Sequence, residues 1–146
     1  MWKFTLVEVN RMDYRKNLKE EYLRQSVMTA SPAELTAALF GGCIKDLNLA
    51  EVALQEPRDL SMANTYFIKA QNIISELADS LDMSYDISKQ LLPIYMYLLQ
   101  EIRNMNIQKD TAALPAVLEI LTSQRETWEN VARAAGNGTD DRQACI

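Results

Sequence analysis

The stretch Thr29-Ala30-Ser31-Pro32-Ala33-Glu34-Leu35 decides the fold, because it contains every feature of a helix start. The Ser31 hydroxyl can accept a hydrogen bond from a free backbone N–H of the first turn. Pro32 falls at the first helical position, where its fixed φ suits a helix and its missing N–H costs nothing. Glu34 completes a capping box. The sequence therefore predicts a helix from Pro32 to about Gln55.

Apolar residues recur every three or four positions along this helix and predict a buried stripe. The stripe consists of Leu35, Leu39, Cys43, Leu47, Ala50 and Leu54. The same spacing predicts further helices at about 61–81, 85–107 and 110–135, with Asp82 or Ser84 as the cap of the third long helix. A short, charged helix is predicted at about 12–26.

Short links between long amphipathic helices predict antiparallel neighbours. We therefore expect an all-α fold, an antiparallel up-down four-helix bundle with a short additional N-terminal helix. Its expected parts are an N-terminal arm with the short helix at 1–28, the helical bundle at 29–135 and a disordered tail at 136–146.

Composition argues against most catalytic and nucleic-acid-binding functions. The chain has 146 residues, a net charge of −5 and no histidine. The acidic balance argues against nucleic-acid binding. The missing histidines remove Ser-His and Cys-His catalysis and the Glu-x-x-His motifs of di-iron bundles. Cys43 and Cys145 lack metal-ligand spacing. We expect no catalytic residue, no metal site, no cofactor and no enzymatic activity.

The charge and the apolar runs bear on location and on partners. Residues 1–25 carry a charge of +2, whereas the remainder carries −7. No apolar run is long enough to cross a bilayer, since the longest is Leu91–Leu99. We expect a cytoplasmic protein without membrane insertion, and we consider that the basic arm could dock on the acidic body or on a partner.

Several helices carry more apolar surface than a single stripe needs. Phe40 and Ile44 lie beside the stripe of the first long helix, Ile73 and Ile74 cannot face the same line, and residues 94–99 are apolar almost all round. One interpretation is a large core, because central helices of a bundle are buried on two sides. The other is a groove that accepts an amphipathic segment of another protein.

Residues spread over most of the chain carry a family resemblance. They are Tyr22, Val27, Thr29-Ala30-Ser31-Pro32 with Glu34-Leu35, Leu39-Phe40, Gly42, Lys69-Ala70-Gln71, Ile73-Ile74, Leu77, Leu81-Asp82, Leu91, Tyr95, Tyr97, Asn106, Asp110 and Arg125-x-x-Trp128. In order and spacing they resemble the FliS family of flagellar export chaperones. Four positions depart from that family: Gly41 replaces its usual Asp, Phe40 replaces Tyr, and Ile94 and Met96 alter its aromatic segment.

The resemblance implies a cytosolic chaperone that binds the disordered C-terminal segment of flagellin in apolar grooves. Such a protein prevents premature polymerisation and assists delivery to the flagellar export apparatus, with an export-gate component as a further partner. Carried onto this chain, it implies partner-binding roles for Tyr22, Val27, Phe40, Ile44, Lys69, Ile73, Leu77, Tyr95 and Leu98. We also hypothesise that the N-terminal arm is a displaceable lid over the groove. One alternative function is a general helical adaptor, or a self-associating bundle, with a different cytosolic partner. The other is an enzyme with an unfamiliar carboxylate or tyrosine site, which a deep polar pocket would support.

Overall fold

A computed structural model describes residues 31–136 of the chain. They form four α-helices, which we number α1 (Pro32–Ala53), α2 (Leu60–Asp79), α3 (Asp86–Gln108) and α4 (Leu114–Gly136), and no strand occurs between residues 31 and 136. The all-helical class is confirmed for this part of the chain. The predicted short helix at 12–26 and the arm at 1–28 lie outside the described residues, as does the predicted tail beyond Gly136.

The start of α1 confirms the Ser31 cap predicted from the sequence, whereas the reciprocal bond of a capping box, from the Ser31 N–H to the Glu34 side chain, is not among the hydrogen bonds of residues 31–136. Ser31 has extended backbone angles, and its hydroxyl accepts a hydrogen bond from the Glu34 backbone N–H at 3.1 Å. The start of α2 has the same device, because the Asp59 carboxylate accepts from the Met62 backbone N–H at 2.9 Å. Each bond satisfies one of the backbone donors that a helix start leaves free.

The starts of α3 and α4 correct two expectations. The residue before α3 is Tyr85, which makes no side-chain cap bond, and the Asp82 carboxylate instead accepts from the backbone and hydroxyl of Ser84. The cap predicted for α3 was therefore wrong. The predicted start of α4 at about Asp110 was too early, since the helix begins at Leu114. Pro115 then lies in the first turn, where a missing N–H costs nothing.

The four helices differ in how many neighbours they have. The first helix, α1, packs against both α2 and α4, and α2 also packs against α3, whereas α3 and α4 make few contacts with each other. A helix with neighbours on two sides must bury more than one narrow stripe. The antiparallel up-down arrangement of the bundle stays a prediction.

The buried face of α1 differs in phase from the predicted stripe. Its buried residues are Ala33, Ala37, Phe40, Cys43, Leu47 and Ala50. Leu39 only flanks this core, as a half-buried residue. Phe40 is the large side chain at its centre, and its ring lies 6.0 Å from that of Tyr95 in α3, at an interplanar angle of 52°.

Candidate partner-binding surfaces

The structure separates the predicted partner-binding residues into two groups. Four of them are buried in the core, namely Phe40, Leu77, Tyr95 and Leu98. Three are half-buried, namely Ile44, Lys69 and Ile73. Tyr22 and Val27 lie outside the described residues. Of the predicted partner-binding residues at 31–136, therefore, only the half-buried group offers side-chain surface to a partner in this conformation.

Tyr95 illustrates the buried group. Its ring packs against Phe40, and burial raises the pKa of its hydroxyl to about 12. The phenol is therefore neutral at any physiological pH. The rings of Tyr95 and Phe40 are buried beneath the outer residues of α1. Their contribution to a partner-binding surface is therefore to keep those outer residues in position.

The side of α1 that faces α2 combines apolar and charged groups. A Cβ atom at Gly42 would lie 3.5 Å from Cδ1 of Ile73, so Gly42 lies directly against α2. Next to it, burial raises the pKa of Asp46 to about 6, while the nearby Lys69 and Lys45 ammonium groups counteract part of that rise. We call this side, defined by Gly42, Asp46, Lys69 and Ile73, the α1–α2 surface.

Lys69 makes one further interaction on this surface. Its ammonium lies 5.6 Å from the centre of the Tyr66 ring, within the range of a cation–π contact. Lys69 therefore lies over an aromatic face, and its charge acts on the Asp46 carboxylate of α1. A partner that approaches this surface meets a cation beside an aromatic ring.

The side of α1 that faces α4 contains an open cleft of about 720 Å³, lined by Glu34, Ala37, Ala38, Gly41, Arg125, Glu129, Ala132 and Arg133. We call it the α1–α4 cleft. A Cβ atom at Gly41 would lie 3.8 Å from Cδ of Arg125. Ile44 follows Gly41 by three residues, and therefore lies on the same side of α1 one turn further along.

The three predicted partner-binding residues that are half-buried consequently lie on two different surfaces. Gly41 faces α4 and Gly42 faces α2, so the glycine pair marks the two sides of α1. Ile44 belongs to the side of the α1–α4 cleft, and Ile73 with Lys69 belongs to the α1–α2 surface. The sequence could not show this separation, because periodicity gives the spacing of residues but not the neighbour that each side of a helix meets.

The third helix carries exposed apolar residues that the list of predicted site residues missed. Met96, Tyr97 and Ile107 are 52%, 46% and 73% exposed. For Met96 and Tyr97 the signal was present in the sequence, since residues 94–99 are apolar almost all round and a helix whose main neighbour is α2 cannot bury all of its sides. Met96 and Tyr97 are adjacent and we call them the α3 patch, whereas Ile107 lies about three turns further along the helix.

Two kinds of reactive group can be assessed among residues 31–136, namely metal-binding clusters and thiols. Between residues 31 and 136 no group of three or more His, Cys, Asp or Glu side chains could hold a metal ion. The Cys43 thiol is buried and donates to the Ala70 carbonyl at 3.8 Å. Burial raises the pKa of that thiol well above its usual range, which keeps it unreactive. None of the four helices is long and apolar enough to cross a membrane.

Comparison with known proteins gives a consistent result. The family model described as "Flagellar protein FliS" matches residues 14–135. The chain is 37% identical to the flagellar secretion chaperone FliS of Bacillus subtilis over 108 residues, which cover 74% of this chain and 80% of that protein. It is 28% identical to the FliS protein of Salmonella typhimurium over 116 residues, covering 77% of this chain and 85% of that protein. It is 26% identical to the FliS protein of Vibrio cholerae over 115 residues, covering 77% of this chain and 84% of that protein.

Proposed function

The chain belongs to the FliS family of flagellar secretion chaperones, and from that premise we propose that its client is the C-terminal segment of flagellin. In this proposal the chaperone binds the segment in the cytoplasm, prevents premature polymerisation and assists its delivery to the flagellar export apparatus. An export-gate component is the second proposed partner. The role is one of binding and not of catalysis.

The observation that carries the proposal is apolar side-chain surface in excess of what the core uses. It comprises the exposed α3 patch and the half-buried Ile44 and Ile73 on the two sides of α1. An amphipathic segment that forms helices on binding can cover such residues with its own apolar face. Ordering the segment offsets part of the gain, so many modest contacts over a long path yield firm but reversible binding.

We assign different roles to the predicted site residues according to their burial. Ile44 and Ile73 contact the apolar side chains of the client, and Lys69 meets a carboxylate or a carbonyl of it. The buried residues support these contacts from below and do not touch the client directly in the described conformation; they are Phe40, Leu77, Tyr95 and Leu98. Tyr22 and Val27 keep the partner-binding role that the family resemblance implies.

Titration with a flagellin peptide tests both the function and the site. The probe is the last forty or so residues of the host's flagellin, about three short helices in length, and the readout is isothermal calorimetry. We expect Ile44→Glu and Ile73→Glu each to weaken binding about tenfold or more, because a charged carboxylate loses its hydration in an apolar contact. Gln90→Glu, an exposed position on α3, adds the same charge outside the proposed surfaces and is the control.

The outcomes separate function from site. If the parent chain does not bind the peptide, the proposed client is wrong. If the parent and both glutamate variants bind equally tightly, the client stands and the assignment of Ile44 and Ile73 fails. Light scattering over a concentration series, with and without the peptide, distinguishes client binding from self-association through the α3 patch. Far-UV circular dichroism verifies that each variant is folded.

A further inference from the structure

The α1–α4 cleft has a floor of small residues and a charged rim. Ala37, Ala38, Gly41 and Ala132 lie on its floor and sides, so a second backbone can approach α1 closely at this point. The rim contains the cations Arg125 and Arg133 and the carboxylates Glu34 and Glu129. A volume of about 720 Å³ is larger than a single side chain needs, so it can receive one face of a helical turn.

Of the four charged residues that line this cleft, Arg125 is the one whose side chain has a buried polar atom without a hydrogen-bond partner. Its Nε atom is buried and makes no hydrogen bond, and no ion pair joins Arg125 to another residue between positions 31 and 136. Arg133 differs, because it donates to the Asn130 side chain. A buried donor on a charged group is costly when it has no acceptor. Arg125 is therefore poised to accept an anionic partner.

Gly41 creates the space beside Arg125. Any side chain at position 41 would project towards the Arg125 stem, since even its Cβ would lie 3.8 Å from Arg125 Cδ. Because Gly41 has none, the cleft stays open beside the guanidinium. A carboxylate in that space can pair with the guanidinium fork through two parallel hydrogen bonds, the geometry that arginine favours.

We propose that the α1–α4 cleft binds one acidic side chain presented by a helix of the client, and that Arg125 is the residue that pairs with it. This inference rests on the proposed function, because it specifies the chemistry of the client segment. Charge complementarity selects the occupant: the unpartnered cation attracts a carboxylate, while Glu34 and Glu129 on the rim repel a segment with several. The cleft therefore favours a single Asp or Glu flanked by uncharged residues.

The test compares two flagellin-tail peptides on the full chain. One has the native sequence, and in the other every Asp and Glu is replaced by Asn or Gln. We expect the parent chain to prefer the native peptide about tenfold, the effect of one charge-assisted pair in a partly buried site. Arg125→Gln abolishes this preference. Lys89→Gln removes the same charge from an exposed position on α3 and keeps the preference.

Substitution at position 41 gives an independent arm of the test. In Gly41→Asp the new carboxylate pairs with Arg125 within the chain and competes with the client, so the preference for the native peptide disappears. Gly41→Asn adds nearly the same volume without charge and reduces the preference less. Thermal unfolding accompanies both variants, and we expect Gly41→Asp to be at least as stable as Gly41→Asn.

The possible results distinguish failure of the carboxylate site in the cleft from failure of the proposed function. If the parent and Arg125→Gln bind the two peptides with the same ratio of affinities, the client stands and the carboxylate site is refuted. If neither peptide binds to the parent chain, the proposed function itself fails. Binding of both peptides with dimerisation that Arg125→Gln removes would assign the cleft to a second copy of the chain and overturn the inference.

Discussion

Replacing the two glycines in α1 by alanine is expected to stabilise the protein. Gly41 and Gly42 lie near the middle of a helix of 22 residues. In a helix interior, glycine is less favourable than alanine by about 1 kcal/mol, because its backbone loses more freedom on folding. The size of the effect in this protein depends on whether the two new methyl groups fit.

The structure provides that space at both positions. The nearest atom to a Cβ at Gly41 is Cδ of Arg125 at 3.8 Å, and the nearest to a Cβ at Gly42 is Cδ1 of Ile73 at 3.5 Å. Both distances are ordinary van der Waals contacts, so neither neighbour has to move. We expect Gly41→Ala and Gly42→Ala each to raise the free energy of unfolding by about 0.5–1 kcal/mol. The two methyl groups contact different helices, so the double variant is expected to gain about 1–2 kcal/mol.

Urea unfolding followed by far-UV circular dichroism measures these changes. The matched control is Ala38→Gly, because Ala38 is exposed in the same helix and its loss should lower the stability by about 1 kcal/mol. An unchanged urea dependence in all variants shows that the native and unfolded states are otherwise comparable. If either alanine variant is less stable than the parent while Ala38→Gly behaves as expected, α1 packs more tightly against α2 or α4 than we infer.

Two further predictions concern the cap of α1 and the half-buried carboxylate of Asp46. Ser31→Ala removes the bond to the Glu34 N–H and is expected to lower the free energy of unfolding by about 1 kcal/mol, whereas Ser31→Asp retains a cap; equal losses in the two variants in urea unfolding would contradict the capping role. The raised pKa of Asp46, about 6, means that folding favours its neutral form. That stabilisation is complete below about pH 4 and is lost as the pH rises through 6. Between about pH 4 and 7, the free energy of unfolding of Asp46→Asn, measured in urea, should thus fall less than that of the parent. The control is Asp79→Asn, which changes an exposed carboxylate. A parallel decline in Asp46→Asn and the parent would refute this reasoning.

Local signals predicted the helices well where one residue decides the outcome. The first helix begins where Ser31 predicts it, because the cap bond spans only three residues and needs nothing from the rest of the chain. The prediction of the α3 cap was wrong, although it too depended on local hydrogen bonds. Asp82 and Ser84 are both capping residues, but here the Asp82 carboxylate bonds to Ser84 in the preceding turn and caps no helix. Whether the Asp82 carboxylate accepts from Ser84 or from a helix N–H depends on the path of the loop. Composition does not reveal that path.

The candidate site was harder to predict, because it depends on which helices are neighbours. Periodicity left open whether Ile73 or Ile74 faces the core, and the structure buries Ile74 and leaves Ile73 half-buried next to Gly42. Phe40 lies off the predicted stripe and is nevertheless fully buried, since the core of α1 is centred between the two sides that meet α2 and α4. The excess of apolar residues was visible in the sequence, but their distribution around α1 was not.

The position of α1 between two neighbours constrains how any client can bind. A single groove along α1 would require one of its sides to be free, yet α2 and α4 occupy both sides. What remains accessible are two lines where helices meet, one beside Ile73 and one beside Gly41 and Ile44. A single short helix can fill only one of these lines, whereas a longer segment with a break between two helices can fill both. The geometry of α1 therefore favours an extended client over a compact one, because its two adjacent glycines face different neighbouring helices.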